Sequence, residues 1–355
     1  MASKSTQAWS IDAEEYDRQP SLSAKIAFLV RYAVLAPSPW NSQPWKFKIS
    51  DSRIELFEVP ERSQAHRDPE GREDCVGCGA ALANLAIAAQ HFALKTSIQL
   101  IPDGAPPHCV GIMDFREPNA GDSIESDDDI HRDRNLNERL FQAIPLRHCF
   151  RQDFLNKPIA ENICQEFVAL AQSYGISFVP ISAQSTKLAL AGMVSEGDRH
   201  LGADQATREE YASWIRANEN KGDGVPGYAL GLDKWSAMLA PVTHRFFNFT
   251  DQNARSDSAL TEDTWALCAA FMGEEDSKRG WMRCGIALQN VLLLAASYGI
   301  QASFLNQIIP IPELRSRLSQ LLGRRDIPQT VIRLGYPSQD NIKPTPRLPL
   351  SEVLL

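Results

Sequence analysis

What this sequence has little of narrows its work before any motif is considered. No stretch reaches the roughly 18–20 uninterrupted apolar residues of a membrane span; residues 24–36 come nearest, and Lys25 and Arg31 interrupt them. Positive charge is scarce, with 36 Lys and Arg against 44 Asp and Glu and a net charge of −8. That balance argues against nucleic acid or an anionic membrane as the main partner. Residues 1–16 carry acids and no apolar signal segment, so a cytoplasmic protein is expected. Seven cysteines, an odd number spread over a long chain, fit reduced thiols better than a disulfide framework. Cys75 and Cys78 stand as Cys-x-x-Cys with no second pair, at the head of a helix, which favours packing over a metal or dithiol role. No glycine run carries the Lys-Ser/Thr of a phosphate loop, and no Ser-His-Asp order stands out. No catalytic side chain and no metal ligand is therefore assigned.

What is present is a chain of 355 residues, 43% hydrophobic, long enough for one large or two ordinary domains. Its most concentrated stretch is residues 36–47, Ala-Pro-Ser-Pro-Trp-Asn-Ser-Gln-Pro-Trp-Lys-Phe. Pro37, Pro39 and Pro44 remove three backbone donors and exclude a helix interior or a central strand. Asn41 and Gln43 each offer a donor and an acceptor in one plane, which suits the edge of a flat heteroaromatic ring. Trp40 and Trp45 supply apolar walls. Two uses are open: a binding loop, or a proline-stiffened turn whose tryptophans fill the core.

Around this loop the pattern predicts a loose, flexible arm over residues 1–20 and a helix from a Ser21 or Ser23 cap to about residue 35. Strands are expected at 45–49 and 54–59, a small-residue buried helix at 74–94, and a strand at 110–115. Residues 119–139 are acidic and read as an exposed linker. After it the pattern begins again. Helices are expected at 161–174, 187–200, 208–217, 283–298 and 314–322, and strands at 177–181 and 330–334. Residues 222–280 lose periodicity yet hold Tyr228, Trp235, Phe246, Phe247, Phe249 and Trp265, too aromatic for a disordered segment. Gly222, Gly224 and Gly227 offer this insertion a hinge. The two buried helices are related: Cys78-Gly79-x-Ala81-Leu82-x-Asn84 recurs as Cys284-Gly285-x-Ala287-Leu288-x-Asn290, which implies an internal duplication.

Pro37-Ser38-x-x-Asn41-Ser42-Gln43-Pro44-Trp45-x-Phe47 resembles the flavin-contacting loop of the FMN-dependent nitroreductases. In that family the loop reaches across a subunit interface to a flavin held mainly by the partner. With the duplication, the resemblance implies two fused subunits of the tandem, mycobacterial Acg type. The implied class is α+β, nitroreductase-like, with central antiparallel sheets, surrounding helices and two halves forming a pseudo-dimer, 21–118 and 140–355. Arg147-His148-Cys149-Phe150-Arg151 resembles the family's Arg-x-Ser-x-Arg/Lys segment, which implies Arg147 at the FMN phosphate and Arg151 at the pyrimidine edge, with Cys149 in place of the usual Ser. A basic helix cap is the other use of this cluster. Leu305 and Asn306 lie where the family places a loop over the flavin, a backbone N–H near N5, with Gln307 for its Gly. Pro346-Arg347-Leu348-Pro349 resembles the family's Arg-x-Pro tail, which implies Arg347 at the phosphate, with Thr345 where many relatives carry Lys. Only one pair of half-motifs is complete, so one FMN per chain is expected, with no second copy needed. The resemblance implies hydride transfer from NADH or NADPH to a nitroaromatic, quinone or related electron-poor acceptor, or a silent, flavin-sequestering protein if the insertion closes the site.

Overall fold

The computed structural model describes residues 7–118, 127–217, 221–232, 236–238, 240, 266–339 and 341–355, and the side chains of these apart from 127–133. The insertion's Trp235, Phe246, Phe247, Phe249 and Trp265 lie outside the described residues.

The first half begins with α1 (Leu22–Ala33), capped by the Ser21 hydroxyl accepting from the Ala24 amide. Strands β1 (Trp45–Ser50) and β2 (Arg53–Glu58) form a hairpin; then come α2 (Arg72–His91), β3 (Lys95–Leu100) and β4 (Cys109–Arg116). These strands make an antiparallel sheet in the order β1-β2-β4-β3. The second half repeats the plan. Helix α4 (Glu161–Ser173) leads into β5 (Ser177–Ile181), and β8 (Leu267–Gly273) is followed by α7 (Lys278–Ser297), β9 (Gln301–Phe304), α8 (Pro312–Leu321) and β10 (Ile327–Gly335). Its antiparallel sheet runs β5-β8-β10-β9, the same order by position as the first. Between β5 and β8, where the first half has a two-residue turn, the second half inserts α5 (Gln184–Ala203), α6 (Gln205–Trp214) and the short parallel pair β6 (Ile215–Arg216) and β7 (Val225–Pro226). Helix α9 (Leu350–Val353) closes the chain, and Leu355 donates its amide to Phe47 O on the β1 edge.

The duplicated helices α2 and α7 pack along each other at the centre. Their paired glycines explain how. A Cβ on Gly79 would sit 2.2 Å from Met282 O, and one on Gly285 would sit 2.1 Å from Val76 O. Each glycine thus lets the other helix's backbone in, and the two Cys-Gly motifs meet across the approximate two-fold axis. Deeper in the interface, Gln289 Nε2 donates to Asn84 Oδ1 at 2.7 Å while Asn84 Nδ2 donates to Tyr32 O at 2.9 Å, so these buried amides are tied to one another and to the main chain. The larger apolar core draws residues from both halves, and a smaller one lies within the second half.

Three expectations are corrected. The arm is packed from residue 7 onward: Trp9 and Tyr16 are buried, Tyr16 stacks on Phe92 at 4.0 Å, and Arg31 pairs with Glu15. The expected linker contains α3 (Asp127–Ala143), which packs against both α2 and α7; Leu136, Leu140 and Phe141, at positions i, i+4 and i+5, turn inward. Strands β3 and β8 were not expected. Every residue of β3 except Leu100 is exposed, so it has no alternation to read, and β8 is buried on both faces at the foot of the aromatic insertion.

Candidate functional site

The proline loop between α1 and β1 carries its own strain. Trp40, Asn41 and Gln43 have φ of 50°, 56° and 53°, left-handed values that each cost a non-glycine residue on the order of 1 kcal/mol or more. What holds them is polar. Asn41 Nδ2 donates to Gly224 O and Pro346 O, both at 3.0 Å, and its Oδ1 accepts from Arg347 Nη1 at 2.9 Å. Gln43, fully buried, donates from Nε2 to Gly222 O at 2.8 Å and accepts the Leu348 amide at 3.0 Å. Both amides are turned into the fold. Their planar edges lock the loop to residues 222–224 and 346–348, whereas the sequence suggests that they face a ring. Trp45 is likewise a core residue of β1, leaving the half-buried Trp40 as the wall of the cleft.

The same bonds correct the expected hinge. Gly222 and Gly224 have φ of 74° and 69°, and the Gly224 amide also donates to Asn41 O at 3.2 Å. Asp223 pairs with Arg62 at 3.2 Å and Arg216 at 3.0 Å. This part of the insertion is fixed to the loop.

Beside the loop lies a cleft with two connected parts, both lined by Pro37, Ser38, Cys149 and Arg151. The narrower, about 210 Å³, also takes in Asn41, Arg147, His148 and Arg347. The wider, about 450 Å³, has an apolar floor of Val76, Gly77, Ala80 and Leu288 from α2 and α7, with Trp40 as a wall. Leu305, Asn306, Gln329 and Arg333 line its far side, and α5 and α6 roof it, Tyr211 packing on Trp40 with ring centroids 4.2 Å apart.

Of the eleven residues singled out in the sequence, ten line this cleft, drawn from both halves; Gln43 stands behind it. Leu305 does so with its amide already donated to Val331 O at 2.8 Å, so that N–H belongs to the sheet. Asn306 Oδ1 accepts from the Thr330 hydroxyl and the Val331 amide, both at 2.9 Å. The sequence reading omitted Trp9, Arg67 and Glu73. Arg67 forms a buried pair with Glu73 and sits 5.8 Å from the Trp40 ring, within the wider part. Cys75 and Cys78 are absent from the lining; burial pushes both thiols well up, and each donates weakly, to Glu58 at 3.8 Å and to Pro44 O at 3.6 Å. Among the described residues no cluster of His, Cys, Asp and Glu could hold a metal ion.

The electrostatics of the narrow end are one-sided. Arg147 and Arg347 are each 3% exposed. Arg347 donates from Nε to Val34 O at 2.7 Å and from Nη2 to Leu35 O at 3.2 Å and Ala36 O at 3.3 Å. Arg147 donates to Leu35 O and, at 3.9 Å, to the Cys149 sulfur, while its Nε has no partner. Neither guanidinium has a carboxylate partner among the described residues. Burial, and then Arg147, pull Arg347 down to about 9; burial also lowers Arg147. His148 is driven down to about 3 by burial and by the two arginines, so it is neutral. Arg151 adds a buried Nη1 without a partner. Burying a charge without its counter-ion costs several kcal/mol, and an anion in the cleft would offset that cost. The cleft's donors fit a phosphate at one end and a flat polar ring at the other.

Fold and site together define a duplicated α+β chain with one cationic cleft at the junction of its halves. No known family model matches the chain. It is 26% identical over 325 residues, 91% of its length and 88% of the relative's, to the Mycobacterium tuberculosis protein Rv3131, provisionally named an NAD(P)H nitroreductase. It is also 26% identical over 329 residues to acg of the same organism, which carries the same provisional name, covering 91% of this chain and 93% of the relative. The resemblance drawn from the proline loop therefore extends along nearly the whole chain. Among solved structures, the NADPH:FMN oxidoreductase of Vibrio harveyi is 15% identical, with 59% of this chain and 74% of that one covered and a TM-score of 0.37. A Bacteroides fragilis nitroreductase with bound FMN is 14% identical, with 59% and 94% covered and a TM-score of 0.33. Overlays this slight add nothing to the fold already described. No helix among the described residues is long and apolar enough to cross a membrane.

Proposed function

We propose that the chain is a nitroreductase-like flavoprotein that binds one FMN in the cleft and uses NADH or NADPH to reduce a small electron-poor acceptor. The observation that carries this reading is the pair of buried arginines without carboxylates at one end of an apolar-floored cleft. Arg147 and Arg347 would neutralise the phosphate dianion, and Arg151 would donate to the pyrimidine edge and hold the negative charge that collects there on reduction. A bound flavin takes hydride from a nicotinamide and passes it to a nitro compound or quinone. The chain's part is to bind, orient and exclude water. No side chain is needed as a catalytic acid, in line with a neutral His148.

One site per chain follows from loop length. Residues 34–44 separate α1 from β1, whereas only residues 174–176 separate α4 from β5, so the second half has no counterpart of the proline loop. Both contributions to the cleft come from one chain, so a monomer suffices. We read the division into halves 21–118 and 140–355 from the duplication, although its boundary at 140 falls inside α3, which packs on both central helices.

The fixed cover favours a second reading. With residues 222–224 bonded to the loop and Tyr211 on Trp40, the wider part would be closed to a nicotinamide, as in a flavin store. Mixing the flavin-loaded chain with excess NADH or NADPH in a stopped-flow instrument separates the two. Bleaching of flavin absorbance within seconds supports the reductase; absorbance unchanged for minutes supports storage. A chain that purifies colourless and takes up no added FMN overturns both.

A further inference from the structure

One wall of the narrow end comes from outside every motif read in the sequence. Trp9, in a 3-10 turn (Gln7–Trp9) of the N-terminal arm, lines the narrow end beside Arg147, His148 and Arg347. Its ring centroid lies 4.6 Å from Cζ of Arg347, 6.0 Å from Cζ of Arg147 and 4.7 Å from the His148 ring. Its Nε1 donates to Thr345 O at 2.8 Å. The ring is thereby joined to the segment that carries Arg347. The indole thus lies against both guanidiniums that have no carboxylate partner among the described residues.

We infer that Trp9 is the outer wall of the phosphate subsite and governs how long a phosphate-bearing ligand stays there; the inference rests on the FMN reading. Three physical effects combine. The π-face stabilises the two buried cations. Its bulk keeps water from the narrow end, so charge-assisted bonds from Arg147 and Arg347 to a phosphate act in a medium of low polarizability. Its Nε1 bond to Thr345 O holds the ring in place against the two arginines. A phosphate behind the ring would leave only as that bond and the ring contacts give way, whereas Trp9 does not line the wider part, where the ring end of the ligand would lie.

The test compares two ligands that differ only in the phosphate. FMN and riboflavin are each loaded onto the wild-type chain, Trp9→Ala and Trp9→Phe, and their dissociation is followed by recovery of free-flavin fluorescence after dilution to concentrations well below Kd. Trp9→Ala should release FMN on the order of ten times faster than wild type, an effect of roughly 1.4 kcal/mol. Riboflavin release should change less than twofold, and Trp9→Phe, which keeps a π-face, should restore most of the FMN retention. Far-UV circular dichroism and the melting point of the ligand-free variants check that the fold persists. Unchanged FMN release from Trp9→Ala overturns the inference and leaves the flavin reading standing. Equal acceleration of FMN and riboflavin also overturns it, since Trp9 would then act through general packing. A wild-type chain that holds neither ligand overturns the flavin reading itself, and this inference with it.

Discussion

Replacing Arg147 by Met separates ligand binding from folding more cleanly than any other change at this site. Arg147 Nε has no partner and its Nη1 meets only the Cys149 sulfur at 3.9 Å, so up to two charge-assisted bonds are available to a phosphate. Each such bond contributes about 1.5–3 kcal/mol. With incomplete additivity, Arg147→Met should weaken FMN by about 3 kcal/mol, roughly a hundredfold in Kd. The ligand-free fold should not suffer. Leu35 O, which accepts from Arg147, also accepts from Arg347 at 3.2 Å and keeps a partner. The substitution removes a buried charge and replaces it with an apolar chain of similar length, a change that is often neutral or stabilising. Fluorescence titration of FMN gives the Kd, and calorimetry of the ligand-free chain gives Tm. A variant that binds FMN within threefold of wild type would refute the assignment of Arg147 to the phosphate. A ligand-free Tm several degrees lower would refute the view that this charge is uncompensated in the fold.

Gly285→Ala should cost about 2–3 kcal/mol, read as a lower urea midpoint, because its Cβ would lie 2.1 Å from Val76 O in the rigid contact of α2 with α7. An unchanged midpoint would mean that the two helices part easily. Asp74, raised to about 7 mainly by burial, stays protonated in the native state until pH nears 7, so the stability its protonation contributes is complete near pH 4 and is lost as pH rises through about 7. Asp74→Asn should therefore unfold at higher urea than wild type at pH 8, by on the order of 2 kcal/mol, with the gap narrowing as pH falls and closing near pH 4; a gap independent of pH would contradict this. Dilution of the flavin-loaded chain to a monomer, checked by light scattering, should leave FMN bound, and loss of flavin in step with dissociation would show that the site is intermolecular.

The sequence by itself determined the central device of this protein. Two Cys-Gly-x-Ala-Leu-x-Asn segments specify two small-residue helices, and a glycine in each permits the close crossing that joins the halves. The arginines were legible too, because a buried guanidinium cluster beside Cys149 leaves a short local pattern in the chain. Strand β3 was illegible for the opposite reason: an exposed edge strand with its residues in solvent has neither alternation nor an apolar run. Only the tertiary structure decided what the polar loop does with its amides. Asn41 and Gln43 meet Gly222, Gly224, Pro346 and Leu348, residues some 180 to 305 positions away, and nothing in a local pattern reveals which distant carbonyl a planar amide will satisfy. The same holds for Trp9. Its indole reads as part of a polar arm until folding brings it against Arg147 and Arg347, because the cost of two buried charges arises only when both ends of the chain reach the same cleft.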